Sequence, residues 1–186
     1  MDTMALVMST VALLLYSASY FFNTKRGYLI LQLTGNFFLA TSYCLIGAYF
    51  TTVSVVIGIA RALICYGYEK RNKSVPLFVI FGLCAATATS YIVINHLILS
   101  ESSMWDVLYL IASFVYTVSF AIRNIRVMRY VVLIPHSCAV TYNLLISAPI
   151  SSAISYGIEL VVTLAAIVKY DVLGRRTGAK RAKHES

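Results

Sequence analysis

The chain has 186 residues, of which 60% are hydrophobic and only 12% are charged. A soluble domain carries about 25% charged residues, so this composition excludes an ordinary soluble protein and predicts an integral membrane protein. Its long, continuous apolar segments indicate spanning helices, not a β-barrel. The net charge of +8 does not indicate nucleic acid binding, because the basic residues lie at the ends of the apolar segments.

Seven membrane-spanning helices are predicted in chain order. They cover approximately residues 4–22, 28–47, 52–68, 76–99, 104–122, 128–146 and 149–169. The central segment, 76–99, holds no Asp, Glu, Lys or Arg and is long enough to cross a bilayer core as a helix. The C-terminal residues 174–186 are polar and basic, and we expect them to be disordered.

The two halves of the chain resemble each other. Shifting residues 4–56 by 100 positions pairs eleven identical residues, among them Tyr16 with Tyr116 and Ser19 with Ser119. We therefore expect an all-α integral membrane fold of seven transmembrane helices. Two three-helix repeats, 4–68 and 104–170, would be joined by a linker transmembrane helix, 76–99, and followed by a basic cytoplasmic tail, 171–186. Because each repeat has an odd number of spans, the linker makes the repeats parallel.

The distribution of basic residues predicts the orientation. One set of alternating connections holds fourteen Lys and Arg and the other set holds none, which leaves only Arg61 inside a span. By the positive-inside rule, the N-terminus should lie outside and the C-terminus in the cytoplasm.

Two charged residues lie midway along predicted spans. Arg61 is in the third span and Glu159 is at nearly the equivalent depth in the seventh. A charge inside a membrane costs about 2.5–3.5 kcal/mol on insertion scales. We expect either a charge pair or separate ligand contacts at the interface between the repeats. The alternatives are a structural salt bridge, or an Arg61 side chain that extends to the membrane surface.

Each middle span carries a polar stripe on one helical face. The members are Gln32, Asn36 and Tyr43 in the second span, and Val132, His136 and Asn143 in the sixth. Together they predict a polar cavity near the midplane, or else interhelical hydrogen bonds. The repeated Tyr16 and Tyr116 are candidate solute contacts, with aromatic packing as the alternative. His136 follows Pro135, a combination suited to a hinge with proton coupling.

Catalytic and metal-binding motifs are absent from the sequence. There is no GxSxG, HExxH or phosphate-binding loop and no metal-ligand spacing, so we predict neither an enzyme nor a cofactor. The four cysteines show no CxxC spacing and are interpreted as packing residues.

Two segments carry a resemblance to known families. GAYFTTVSVVIGIARALICYGYEKR in the first half and NIRVMRYVVLIPHSCAVTYNLL in the second resemble the YgjV-like bacterial inner-membrane proteins. The 3+1+3 layout with an outside N-terminus is similar to the SWEET sugar facilitators, the PQ-loop proteins and the Pnu-type vitamin transporters. The Pro-Gln pair of PQ-loop proteins is missing, because His136 follows Pro135. The resemblance implies a multi-pass protein of the bacterial inner membrane that binds a small solute between two three-helix bundles.

The sequence therefore predicts a SWEET-like facilitator or secondary transporter. It would move a small polar solute by alternating access, with Arg61, Glu159, Asn36 and His136 at the central site. The alternative is a non-transporting seven-helix receptor or binding scaffold of the same fold. The expected partners are the solute and the lipid bilayer, without nucleic acid. The sequence leaves open the solute, proton or sodium coupling and the formation of a homo-oligomer.

Overall fold

A computed structural model describes residues 2–47, 49–93, 105–145 and 150–173. Within these ranges the chain forms seven α-helices and a terminal π-helix, without strands, which confirms the all-α class there. The helices are α1 (Asp2–Ser19), α2 (Lys25–Leu45), α3 (Tyr49–Lys70), α4 (Leu77–Ile92), α5 (Asp106–Ala121), α6 (Ile125–Leu145), α7 (Ile150–Ala166) and the π-helix (Ile167–Leu173).

Each of the seven predicted segments overlaps one of these helices, with bounds that differ by a few residues. Residues 94–104, 146–149 and 174–186 lie outside the described residues, and with them the second part of the fourth span, the predicted connections 100–103 and 147–148, and the tail. Across the ranges that are described, no helix combines the length and the apolar character required to cross a membrane.

Local sequence chemistry explains where several helices begin and end. The Thr24 hydroxyl accepts a hydrogen bond from the Gly27 N–H at 3.3 Å and caps α2. Before α6, the Asn124 side chain accepts from the Arg126 N–H at 3.0 Å in the same way. After α3, Asn72 has a φ of 55°, the left-handed conformation that Asn adopts more readily than most residues.

The helices pack as two groups of three. In the first group α2 lies between α1 and α3, and in the second α6 lies between α5 and α7. Across the two groups α1 contacts α7 and α3 contacts α5, while α4 packs against both α3 and α5. The first helix of each group thus meets the last helix of the other. The repeat relation and the domain bounds themselves stay predictions.

The described surface is apolar and part of the interior is polar. Large apolar side chains point outward on every α-helix, including Leu6, Leu14, Phe37, Val56, Phe78, Phe81, Val107, Leu144 and Val161. Buried polar residues include Ser19, Gln32, Asn36, Thr117, Ser119 and His136. A soluble protein seldom exposes such extensive apolar surface. The polar interior lies beside an aromatic and aliphatic core that includes Tyr20, Tyr28, Leu29, Phe120, Met128 and Val132.

Candidate functional site

Gln32 links the two helix groups. On α2 its side chain is almost fully buried, and its Nε2 donates to the Ser19 hydroxyl on α1 at 3.0 Å. The Tyr116 hydroxyl on α5 donates to its Oε1 at 3.1 Å. One amide therefore connects α1 and α2 of the first group to α5 of the second.

Asn36 lies one turn further along α2 and extends this network. Its Nδ2 donates to the Gln32 carbonyl at 2.8 Å, and its Oδ1 accepts from the Tyr16 hydroxyl at 3.1 Å. Gly58 faces it from α3, where a Cβ would lie 3.0 Å from Asn36 Oδ1. The structure therefore brings together four of the predicted site residues: Tyr16, Gln32, Asn36 and Tyr116.

His136 joins α6 to Tyr20, which directly follows α1, and to α7. Its Nε2 lies 2.8 Å from the Tyr20 hydroxyl, and its Nδ1 lies 3.5 Å from Glu159 Oε2. The imidazole is 3% exposed and the Glu159 side chain 12% exposed. The rings of Tyr20 and Tyr116 lie close to the imidazole, with centroids at 5.6 and 6.1 Å. Tyr20 was not among the predicted site residues. Its counterpart 100 positions later is Phe120, so this position is not one of the eleven identical pairs.

Arg61 lies between α3 and α5. Its Nη1 donates to the Thr117 hydroxyl at 3.1 Å, and its guanidinium carbon lies 4.8 Å from the ring centroids of both Tyr116 and Phe120. No ion pair within the described chain joins it to Glu159. The reason is the packing, because α3 contacts α5 while α7 contacts α6 and α1. The Arg61 and Glu159 side chains therefore contact different residues.

These residues form a closed polar assembly, which we call the central cluster. It consists of Tyr16, Ser19, Tyr20, Gln32, Asn36, Arg61, Tyr116, Thr117, His136 and Glu159. Two further predicted residues, Tyr43 and Asn143, each lie seven residues beyond Asn36 and His136, which is about 10 Å along a helix. Asn143 Nδ2 donates to the Ala139 carbonyl of its own helix at 2.7 Å.

The central cluster shows no metal-binding geometry. Over the described part of the chain, no three His, Cys, Asp or Glu residues come close enough together to hold a metal ion. The four cysteines are free thiols. The groups in the cluster that could contact a ligand are therefore the Arg61 guanidinium, the His136 imidazole beside the Glu159 carboxyl group, side-chain amides and tyrosine hydroxyls.

A second polar assembly, which we call the basic-end cluster, lies where α2 and α6 begin. It consists of Lys25, Glu69, Arg126, Arg129 and Asp171. Arg129 is 1% exposed; its Nε donates to the Tyr20 carbonyl at 3.1 Å and its Nη2 to the Phe22 carbonyl at 2.8 Å. Its Nη1 lies 3.4 Å from Asp171 Oδ1. This role was not predicted from the sequence, because Arg129 follows other arginines in a basic connection.

Asp171 and Lys25 are buried at this end. The predicted tail begins at residue 171, but the structure continues as a π-helix to Leu173 and buries the Asp171 side chain. Lys25 Nζ lies 3.9 Å from Glu69 Oε2. Burial lowers the pKa of the Lys25 ammonium from its ordinary value, and the Glu69 carboxylate opposes this shift. The buried charged side chains at this end, Lys25 and Asp171, each therefore have a partner of opposite charge.

A cavity of about 230 Å³ lies at the basic end and not at the central cluster. Its lining residues are Asn124, Arg126, Val127, Tyr130 and Asp171. The side chains of the central cluster contact one another, and each of them is buried or half-buried.

A family model, Imp-YgjV, described as a bacterial inner membrane protein, matches residues 3–173. No significant match is found among curated proteins or among solved structures.

Proposed function

Because the chain belongs to the Imp-YgjV family of bacterial inner membrane proteins, we propose that it is a multi-pass protein with an outside N-terminus and a cytoplasmic C-terminus. The apolar outer surface supports membrane insertion. The described basic connections support the orientation, since Lys25, Arg26, Arg126 and Arg129 all lie at the same end of the helices. Green fluorescent protein fused to the C-terminus should then fluoresce, whereas alkaline phosphatase fused there should be inactive.

Within that membrane setting, we propose a SWEET-like facilitator or secondary transporter for a small polar solute. The observation that carries the proposal is the central cluster, whose hydrogen bonds cross between the two helix groups. Tyr116 donates to Gln32, and Tyr20 contacts His136. Movement of one group against the other would separate these partners and expose them first to one face and then to the other. A solute or ion gradient would supply the driving force.

A common offset of 100 residues supports the proposed pair of parallel repeats. Helices α2 and α6 span residues 25–45 and 125–145, and Thr24 and Asn124 cap them. The Ser19 hydroxyl donates to the Tyr16 carbonyl at 2.6 Å, and the Ser119 hydroxyl donates to the Tyr116 carbonyl at the same distance. Equivalent halves are the usual basis of alternating access in transporters.

The alternative is a membrane receptor or binding scaffold that uses the same fold without transport. The two functions differ in access to the central cluster, because a transporter opens it to both faces and a receptor to one. Thr117 is suited to test this, since it is buried and contacts Arg61. We would introduce Thr117→Cys into a variant whose native cysteines, Cys44, Cys65, Cys84 and Cys138, are replaced by alanine.

The experiment treats right-side-out and inverted membrane vesicles with a membrane-impermeant methanethiosulfonate reagent. We expect labelling at position 117 in both preparations. Lys73→Cys is the control, because Lys73 is exposed and belongs to a basic connection, so it should react only in inverted vesicles. Reaction at position 117 in a single orientation would contradict transport and favour the receptor.

A further inference from the structure

Two buried hydrogen-bond donors lie against the same aromatic ring without a partner. Arg61 Nε and the Tyr28 hydroxyl are both inaccessible, and neither makes a hydrogen bond of good geometry in the structure, although Tyr28 lies beside the Tyr20 and Tyr116 side chains. The guanidinium carbon of Arg61 is 4.8 Å from the Phe120 ring centroid, and the Tyr28 ring centroid is 5.7 Å from it. Buried polar groups are nearly always paired, so two unpaired ones on one ring require an explanation.

Among the residues that the structure describes, Arg61 has no countercharge. Its described contacts are the Thr117 hydroxyl and two aromatic rings, all of them neutral. The carboxylates that the structure describes have other partners: Glu69 pairs with Lys25, Asp171 with the two arginines of the basic end, and Glu159 with His136. Because arginine stays protonated in proteins, the region around Phe120 carries an uncompensated positive charge.

We propose that the solute carries an anionic oxygen group, of which a carboxylate is the simplest, and that Arg61 and Tyr28 bind it. This inference rests on the proposed function and names the substrate class. Arginine Nη1 is already engaged by Thr117, which leaves the Nε edge for the ligand. That edge presents parallel donors that match the two oxygens of a carboxylate. The Tyr28 hydroxyl supplies a further donor, and the anion enters when the two helix groups separate.

The test compares carboxylates with their neutral amides. Acetate and acetamide, lactate and lactamide, and benzoate and benzamide are added to the purified full-length protein, and the unfolding temperature is followed over a range of concentrations. Binding to the folded state raises that temperature by mass action. We expect at least one carboxylate to stabilise the protein where its amide does not.

Four variants locate the effect. Arg61→Gln should weaken carboxylate binding by about 10- to 100-fold, and Arg61→Lys by less, since it retains the charge without the planar fork. Tyr28→Phe removes only the unpaired hydroxyl, so it should fold normally and bind about 3- to 10-fold more weakly. Tyr130→Phe is its matched control on an exposed residue and should bind as the wild type does.

Equal responses to carboxylates and amides, including no response to either, would overturn the inference. A carboxylate response that survives both Arg61→Gln and Tyr28→Phe would overturn it as well. Labelling at position 117 does not depend on the charge of the solute. Loss of the anion effect with labelling from both faces would therefore leave a transporter of neutral solutes. An anion effect with labelling from one face would leave an anion receptor.

Discussion

Gln32 uses both ends of its side-chain amide to connect helices. Its Nε2 donates to Ser19 and its Oε1 accepts from Tyr116. In a buried interior, water does not replace a lost partner, so a polar group that loses its partner stays unsatisfied. The integrity of the central cluster should therefore depend on this single side chain.

Replacing Gln32 by leucine tests that dependence. Gln32→Leu removes the acceptor of the Tyr116 hydroxyl and the donor to Ser19. We expect the free energy of unfolding to fall by about 1–3 kcal/mol, measured by denaturant titration in detergent micelles. Thr41→Val is the control, because the exposed Thr41 hydroxyl bonds only the Phe37 carbonyl of its own helix. Its effect should stay within about 0.5 kcal/mol, and equal losses in both variants would contradict the role of Gln32.

Helical spacing was sufficient to predict part of the central cluster at the level of residues. The polar face of Gln32 and Asn36 follows from a separation of one helical turn. Arg129 could not be identified in this way. Two of its partners are the Tyr20 and Phe22 carbonyls, and backbone groups are not visible in the side-chain pattern. Its side-chain partners, Asn23 and Asp171, are 106 and 42 residues away in the sequence.

The close approach of α1 and α2 depends on a glycine. A Cβ at Gly35 would lie 2.6 Å from Tyr16 Cε1 and 2.8 Å from its Cδ1. No real Cβ is that close to another atom, so a larger residue would displace the ring whose hydroxyl donates to Asn36. The packing of these two helices and the geometry of the central cluster are therefore coupled.

Two glycine substitutions should have opposite effects. Gly35→Ala should lower the free energy of unfolding by about 1–3 kcal/mol, because the added methyl group overpacks the interface. Gly67→Ala in α3 meets nothing within 4 Å and should raise it by up to about 1 kcal/mol through helix propensity. Thermal unfolding of the two purified variants measures both changes in stability. If both substitutions stabilise the protein, the tight α1–α2 contact is contradicted.

The π-helix that follows α7 packs against α6 through an ion pair. Arg129→Leu leaves Asp171 buried with only Arg126 as its charged partner, and removing one partner of a buried pair costs about 3–5 kcal/mol. Combining it with Asp171→Leu should cost clearly less than the sum of the single losses. Arg126→Leu should cost under about 1 kcal/mol, because Arg126 is 53% exposed. Additive losses in the unfolding titrations would show that the buried pair is not coupled.

At the level of elements, the sequence predicted the helices better than their ends. Pro76 and the capping residues mark helix starts through local chemistry, which a sequence displays directly. The π-helix at Ile167–Leu173 has no such signal. Its wider turn shifts the face on which later side chains lie, and so the burial of Asp171 was not predicted.

Across the whole molecule, Arg129 joins the two helix groups at one end. It belongs to α6 of the second group and donates to the Tyr20 and Phe22 carbonyls, which follow α1 of the first. The central cluster joins the same groups in the middle, through Tyr116 and Gln32. If the groups move against each other, the hydrogen bonds of Arg129 must break when the protein opens at the basic end.

The most direct test of this movement is a distance measurement between the groups. Nitroxide labels at Arg71→Cys and Arg123→Cys, two exposed positions in different groups, would be introduced into the cysteine-free variant and measured in liposomes by double electron–electron resonance. We predict two distance populations, the shorter matching the present structure, and an increase of the longer one on adding Arg129→Gln. A single short distance that Arg129→Gln leaves unchanged would contradict alternating access between the two groups.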